Sequence, residues 1–214
     1  MKTLLVLGLL AAVGYFVFHN GEDLDWRSLS ASLTAPVQRI ARHDSSDGLI
    51  HTGAACPPSH ASGDAAVQFS TSPDGQAEAL VLSVIDGAHT ELDVAAYELT
   101  NARIAEHLIA RARAGVQVRV VLDRSQLDGR ASKLSRLAAA GIPVRIDLAV
   151  PLMHDKLIVA DGDTTQTGSM NYTQAGAHRN AENVLVVWHH PELATAARAA
   201  WTRLWEESQP WTPG

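Results

Sequence analysis

Within eighteen residues the chain places an imidazole, an ammonium, a hydroxyl and a carboxamide: His154 and Lys156, then Asp161, then Ser169 and Asn171 behind Gly168. Such a set suits a phosphodiester. Imidazole serves as nucleophile or as a general acid-base group near neutral pH. Lys, Ser and Asn supply donors for the charge that spreads over a phosphoryl group in transit. The spacing matches no metal-ligand pattern, and neither a metal nor a cofactor is expected.

Local patterning says how these groups converge. Residues 156–160 are a β-prone run, residues 161–163 are a tight-turn signal, and residues 164–167 read as the returning strand of a hairpin. Side chains two apart in a strand share a face. His154 and Lys156 are therefore expected side by side, with Leu157 and Val159 on the opposite face in the core. Gly168 permits close backbone approach, and residues 169–171 are expected to open a helix whose free N–H groups favour an anion. Asp161 sits in the turn, where a carboxylate caps backbone amides rather than touching substrate.

The pattern His154-x-Lys156-x4-Asp161, continued by Gly168-Ser169-x-Asn171, resembles the HKD motif of the phospholipase D superfamily. The likeness runs from about Phe69-Ser70 through Ala96-Tyr97, Arg113-Ala114-Gly115-Val116, Gly141-Ile142-Pro143 and Ala181-Glu182-Asn183 to a Trp-containing C-terminal helix. Over that stretch the chain is similar to small single-motif bacterial endonucleases of the Nuc type. The resemblance implies a metal-independent phosphodiesterase in which one histidine attacks phosphorus and a second protonates the leaving alkoxide. It also implies that Lys156 and Asn171 hold the non-bridging oxygens and that Ser169 donates alongside or supports the histidine. Glu182 is implied as the carboxylate that orients an imidazole, and Tyr97 and Gly168 as candidate lining of the pocket. The chain has no second H-x-K. The economical answer is a homodimer whose two-fold axis brings His154 of each subunit together.

The body that must carry these residues alternates helix and strand. Helical patterns cover residues 74–88, 101–114, 130–140 and 191–206; strand patterns cover 92–97, 116–122, 142–146 and 184–188, besides the hairpin. The expected fold is α/β, a single domain over residues 66–214 with a phospholipase D-like mixed sheet flanked by helices on both faces. Trp201 and Trp205, four apart on the last helix, are expected to pack in the core or against a second subunit.

The first third has another character. Residues 3–18 are uncharged and apolar, with Lys2 before them and Glu22, Asp23 and Asp25 after. That run, within residues 1–20, reads as a signal peptide or a membrane-anchoring helix, with the anchor favoured by Tyr15, Phe16 and Phe18. Either reading predicts an exported body, periplasmic or held at the inner membrane facing the periplasm. Residues 21–65 read as a flexible tether, and His43, His51 and His60 within it lack ligand spacing. Cys56 is the only cysteine, so no intramolecular disulfide is available.

Charge bears on substrate. From residue 66 onward there are 13 Lys and Arg against 17 Asp and Glu, a balance of −4, which is not the footprint of an avid duplex binder. Arg119, Arg124, Arg130, Lys133, Arg136 and Arg145 make a local excess that would suit a nucleic-acid backbone if they shared a face leading to His154. Three readings follow: a nuclease, which the Nuc-type likeness favours; a phospholipase D acting on lipid head groups, which the apolar N-terminus favours; and a non-catalytic phosphate-binding module, against which the intact motif speaks.

Overall fold

Strand runs and amphipathic helices alternate along the chain, and they assemble into one mixed sheet covered on both faces. The computed structural model describes residues 50–51 and 65–212. In chain order the elements are β1 (Ile50–His51), β2 (Ala66–Ser72), α1 (Ala77–Gly87), β3 (Glu91–Ala96), α2 (Ala102–Arg113), β4 (Gln117–Asp123), α3 (Leu134–Ala139), β5 (Val144–Asp147), β6 (Lys156–Ala160), β7 (Thr164–Gly168), α4 (Gln174–His178), β8 (Glu182–Trp188), α5 (Pro191–Glu207) and β9 (Gln209–Pro210). The strand order is β1-β2-β8-β7-β6-β3-β4-β5-β9.

β3, β4 and β5 are parallel, whereas β6 joins β3 antiparallel and continues into β7, β8 and β2 as an antiparallel run. Strands buried on both faces lose the polar alternation of a half-exposed strand, and from Leu92 to Ala96 every residue of β3 is buried. The larger core lies between the sheet and α1, α2 and α3 and includes Ile85, Leu108, Leu137 and Ile158. A smaller core on the other face gathers Ala95, Met153 and Trp201 with Leu157, Leu204 and Trp205. Trp201 is fully buried and stacks on Trp205 at 5.1 Å, so this pair serves the packing of α5.

Alternation of strand directions decides where chemistry can gather. The C-terminal ends of β2, β3, β4, β5 and β7 and the N-terminal ends of β6 and β8 all open on one edge of the sheet. The β6–β7 hairpin turns at the opposite edge, where Asp161 and Gly162 both take left-handed φ, 51° and 72°. Asp and Gly are the residues that accept this conformation most readily.

Several expectations need correction. Residues 169–171 do not open a helix: the amides of Ser169 and Met170 bond to Asn183 O, that of Tyr172 bonds to Glu98 O, and α4 begins only at Gln174 behind a Thr173 cap. Cross-chain backbone bonding has taken the N–H groups that a helix start would have left free. The helix expected over 130–140 is confined to α3, because Ser132 N bonds Gly129 O and Lys133 N bonds Leu99 O, holding the preceding residues as a turn. β2 and β9 add to the expected strands, and β1, inside the stretch that reads as tether, pairs parallel with β2. Lys156 and the opposite-face residues Leu157 and Val159 alternate as expected, but the face of Lys156 is also core, since Ile158 and Ala160 follow it into the larger cluster. The apolar run 3–18, Cys56, His43 and His60 lie outside the described residues. Among the described residues no helix is long and apolar enough to cross a membrane.

Candidate active site

Four strand ends build the site. Lys156 is the first residue of β6 and stands opposite Ala96, the last of β3. That register puts Tyr97 beside the residues before β6, and Tyr97 N donates to Asp155 O at 2.9 Å. The Tyr97 ring lies 4.6 Å from the exposed His154 imidazole, and the Lys156 ammonium lies 5.1 Å from the Tyr97 ring centre. Lys156 Nζ donates to His154 O at 2.7 Å. Ammonium, phenol ring and imidazole thus form one group.

Lys156 is 5% exposed. Burial lowers its pKa below the ordinary lysine value; the negative charges of Asp155, Glu182 and Glu98 pull the other way without cancelling it. A cation kept where water reaches it poorly is one whose field is weakly screened, which suits it to an anionic ester.

Gly168 ends β7 and pairs with Val184 of β8. A Cβ there would sit 2.3 Å from Asn183 O, so only glycine allows the two strands to close at this edge. That closure juxtaposes Ser169 and Glu182. Ser169 Oγ donates to Glu182 Oε2 at 2.5 Å and accepts from Asn183 N at 3.0 Å and Asn183 Nδ2 at 3.3 Å. Glu182 Oε1 accepts from Asn180 Nδ2 at 3.2 Å. Among the described residues the hydrogen-bond partners of Glu182 are Ser169 and Asn180, and none is an imidazole. Ser169 in turn has its proton committed to Glu182. Asn171 Oδ1 is buried with no hydrogen bond inside the described chain.

Asp161 stands at the other end of β6. Its carboxylate accepts from the amides of His89, Thr90 and Glu91 and from the Thr90 hydroxyl, at 2.7 to 3.0 Å. Burial pushes its pKa up, but those bonds outweigh it and hold the group below the usual carboxylate value. Its geometry is that of a brace between the hairpin and the start of β3.

Residues not singled out for the site prove to position it. Asp123, at the end of β4, accepts from Met153 N at 2.9 Å, next to His154. Asp147 accepts from Ala149 N at 2.7 Å, and Arg124 donates to the carbonyls of Leu148 and Val150. Carboxylates at strand ends before a loop were the only signal available. The basic residues considered as a track are largely engaged elsewhere. Arg119 pairs with buried Asp93 and lies over Trp201; Arg145 donates to Trp205 O and lies over the Trp205 ring; Arg136 pairs with Glu106.

A protein-family model described as "Cardiolipin synthase, PLD-like domain" matches residues 81–205. The chain belongs to the phospholipase D superfamily. Its fold matches that of Nuc from Salmonella typhimurium, described as a phospholipase D family member, with a TM-score of 0.68 and 38% identity over 70% of this chain and 100% of that one. Phospholipase D of Rickettsia conorii is 39% identical over 121 residues, 56% of this chain and 60% of that protein. The mitochondrial cardiolipin hydrolase of Xenopus laevis is 32% identical over 126 residues, 59% of this chain and 60% of that protein. The chain thus spans about 60% of the length of these curated relatives. These likenesses agree with the mixed, helix-flanked sheet.

Proposed function

We propose that this phospholipase D-superfamily chain hydrolyses phosphodiesters through a covalent phosphohistidine on His154, in a site completed by a second copy of the chain. The observation that carries this reading is the exposed His154 imidazole held against Tyr97 and the buried Lys156 at the strand-end edge. In the first step a ring nitrogen of His154 bonds to phosphorus as the ester P–O bond breaks. The leaving alkoxide takes its proton from the imidazole of the second copy. In the second step water attacks phosphorus, gives a proton to that same imidazole, and the P–N bond breaks to release a phosphomonoester. Lys156 and the Asn171 amide hold non-bridging oxygens throughout. Ser169 and Asn180 fix Glu182, whose charge stands near Lys156.

The nucleic-acid reading is supported by likeness to Nuc across the whole of that chain, and it makes this a Nuc-like endonuclease. A second reading, hydrolysis of phospholipid head groups, is favoured by the engagement of Arg119, Arg136 and Arg145 away from any track and by relatives named phospholipase D and cardiolipin hydrolase. The test incubates the full chain, in chelator, with single-stranded DNA, duplex DNA, RNA and phosphatidylcholine vesicles. Turnover of one class, its loss in His154→Ala, and acid-labile phosphate trapped on His154 by mass spectrometry are the expected results. Undiminished turnover in His154→Ala rejects the site. For location, the run 3–18 supports export, checked by fractionation of cells expressing the full chain.

A further inference from the structure

A buried carboxylate with no part in the reaction above stands behind the site. Glu78, in the first turn of α1, is 5% exposed. Its Oε1 accepts from Asn101 Nδ2 at 2.7 Å, its Oε2 accepts from Arg103 Nη1 at 2.7 Å, and His178 Nε2 lies 3.5 Å from Oε2. Asn101 is itself completely buried and caps α2, its Oδ1 accepting from the amides of Arg103 and Ile104. With one end of its carboxamide on the helix start and the other on Glu78, Asn101 is locked in orientation. Taking a carboxylate out of water costs stability even when it is bonded this well, and here two of its contacts lead to one stretch of chain.

That stretch runs from Asn171 to Glu182. The amides of Thr100 and Asn101 both donate to Tyr172 O, beside Asn171, at 3.0 and 2.9 Å. His178 is the last residue of α4, and Asn180, just beyond it, donates to Glu182 Oε1. Glu78 thus reaches the near end of the stretch through Asn101 and the far end through His178. Besides the Thr173 cap and a bond from Ser72 Oγ to Gly176 O, α4 has little to hold it. It is five residues long and its buried residues are Gly176 and Ala177, so it lacks both the length that makes a helix persist and a large apolar anchor. α4 also presses on Asn171 directly, since Asn171 O leaves no room for a Cβ at Gly176. A shift of α4 therefore moves Asn171 and Glu182 together. A displacement of about 1 Å at a group that meets a phosphoryl oxygen costs about a hundredfold in rate. Resting on the two-step reading above, we propose that Glu78 is a positioning residue, which through Asn101 and His178 sets where the Asn171 amide and the Glu182 carboxylate stand at the reacting centre.

The test measures turnover of bis(4-nitrophenyl) phosphate by the full chain. Glu78→Gln keeps the shape and an acceptor oxygen for Asn101 but removes the charge that faces His178 and Arg103. It is expected to lower kcat by about tenfold or more with KM changed by less than about threefold, since positioning acts on the transition state rather than on uptake. His178 is exposed, so its substitution spares the core. His178→Ala is expected to lower kcat by about threefold to tenfold, and His178→Arg, which restores a cation facing Glu78, to bring it back to within about twofold of the unsubstituted chain. Glu78→Gln combined with His178→Ala is expected to be no slower than Glu78→Gln alone, because both act through one contact. A full kcat in Glu78→Gln with a lowered melting temperature overturns the proposal and leaves Glu78 a brace of the fold. Losses that multiply in the double variant, or His178→Arg no faster than His178→Ala, overturn it as well. Should Glu78→Gln fail to fold, the two His178 variants decide by the same criteria. Undiminished turnover in His154→Ala overturns the two-step reading together with this proposal, whereas full kcat in Glu78→Gln beside an inactive His154→Ala overturns this proposal alone.

Discussion

Lys156 separates stability from catalysis more cleanly than any other residue here. Its ammonium is buried and its pKa is lowered by that burial; the folded state therefore holds this proton less tightly than the unfolded chain does. The charge opposes folding below the folded pKa, and the penalty fades as pH rises toward the ordinary value of 10.5. Lys156→Met, close in volume, is expected to leave the melting temperature unchanged or raised while turnover falls by about a hundredfold or more. In the unsubstituted enzyme the alkaline limb of turnover is expected to fall below pH 10.5 and to vanish from the residual activity of Lys156→Met, as pH-rate profiles will show. Asp161 has the opposite sign. Its pKa is depressed below the ordinary 3.8, so its stabilisation is complete above that value and is lost as pH falls through the folded pKa. Asp161→Asn is expected to cost about 1–3 kcal/mol at pH 7, with the difference from the unsubstituted chain closing below pH 4 in acid-unfolding curves.

At the scale of elements, the site depends on how closely β7 and β8 meet. Gly168 faces Asn183 O at a distance no Cβ tolerates, and the same contact seats Ser169 on Glu182. Gly168→Ala is expected to force the strands apart, at about 1–3 kcal/mol, and to lower turnover more than it raises KM. Calorimetry and steady-state kinetics read the two effects, and an unchanged kcat would separate the Ser169–Glu182 contact from catalysis. The strand and helix pattern was legible because β3 and β4 are apolar runs and α2 has an Asn101 cap and Gly115 after its last turn. Residues 169–171 pattern as a helix start because Ser and Asn favour caps wherever backbone N–H groups are free. Here they are not free, since β8 and the segment after β3 take them.

For the whole molecule, the decisive quantity is how activity depends on having two intact histidines. If each site uses His154 of both copies, a dimer carrying one His154→Ala chain lacks either nucleophile or acid. Titrating His154→Ala into the unsubstituted chain under subunit exchange is expected to reduce activity as the square of the unsubstituted fraction. An equal mixture then retains about a quarter of the activity. A linear decline to half would mean that each chain works alone.

By itself the sequence determined which candidate reacting groups are present and roughly how they are spaced. Their chemistry belongs to single residues, and their spacing is read by the two-residue period of a strand. Thus His154, Lys156 and the Asp161 turn were legible before any fold was known, as was the alternation of elements. Only the tertiary structure decided the partners. Ser169 holds Glu182, Asp123 and Arg124 clamp the loop before His154, and Arg119 and Arg145 turn inward to tryptophans. Each of these contacts joins segments brought together by strand order, and strand order is set by the burial of whole faces rather than by any local run of residues.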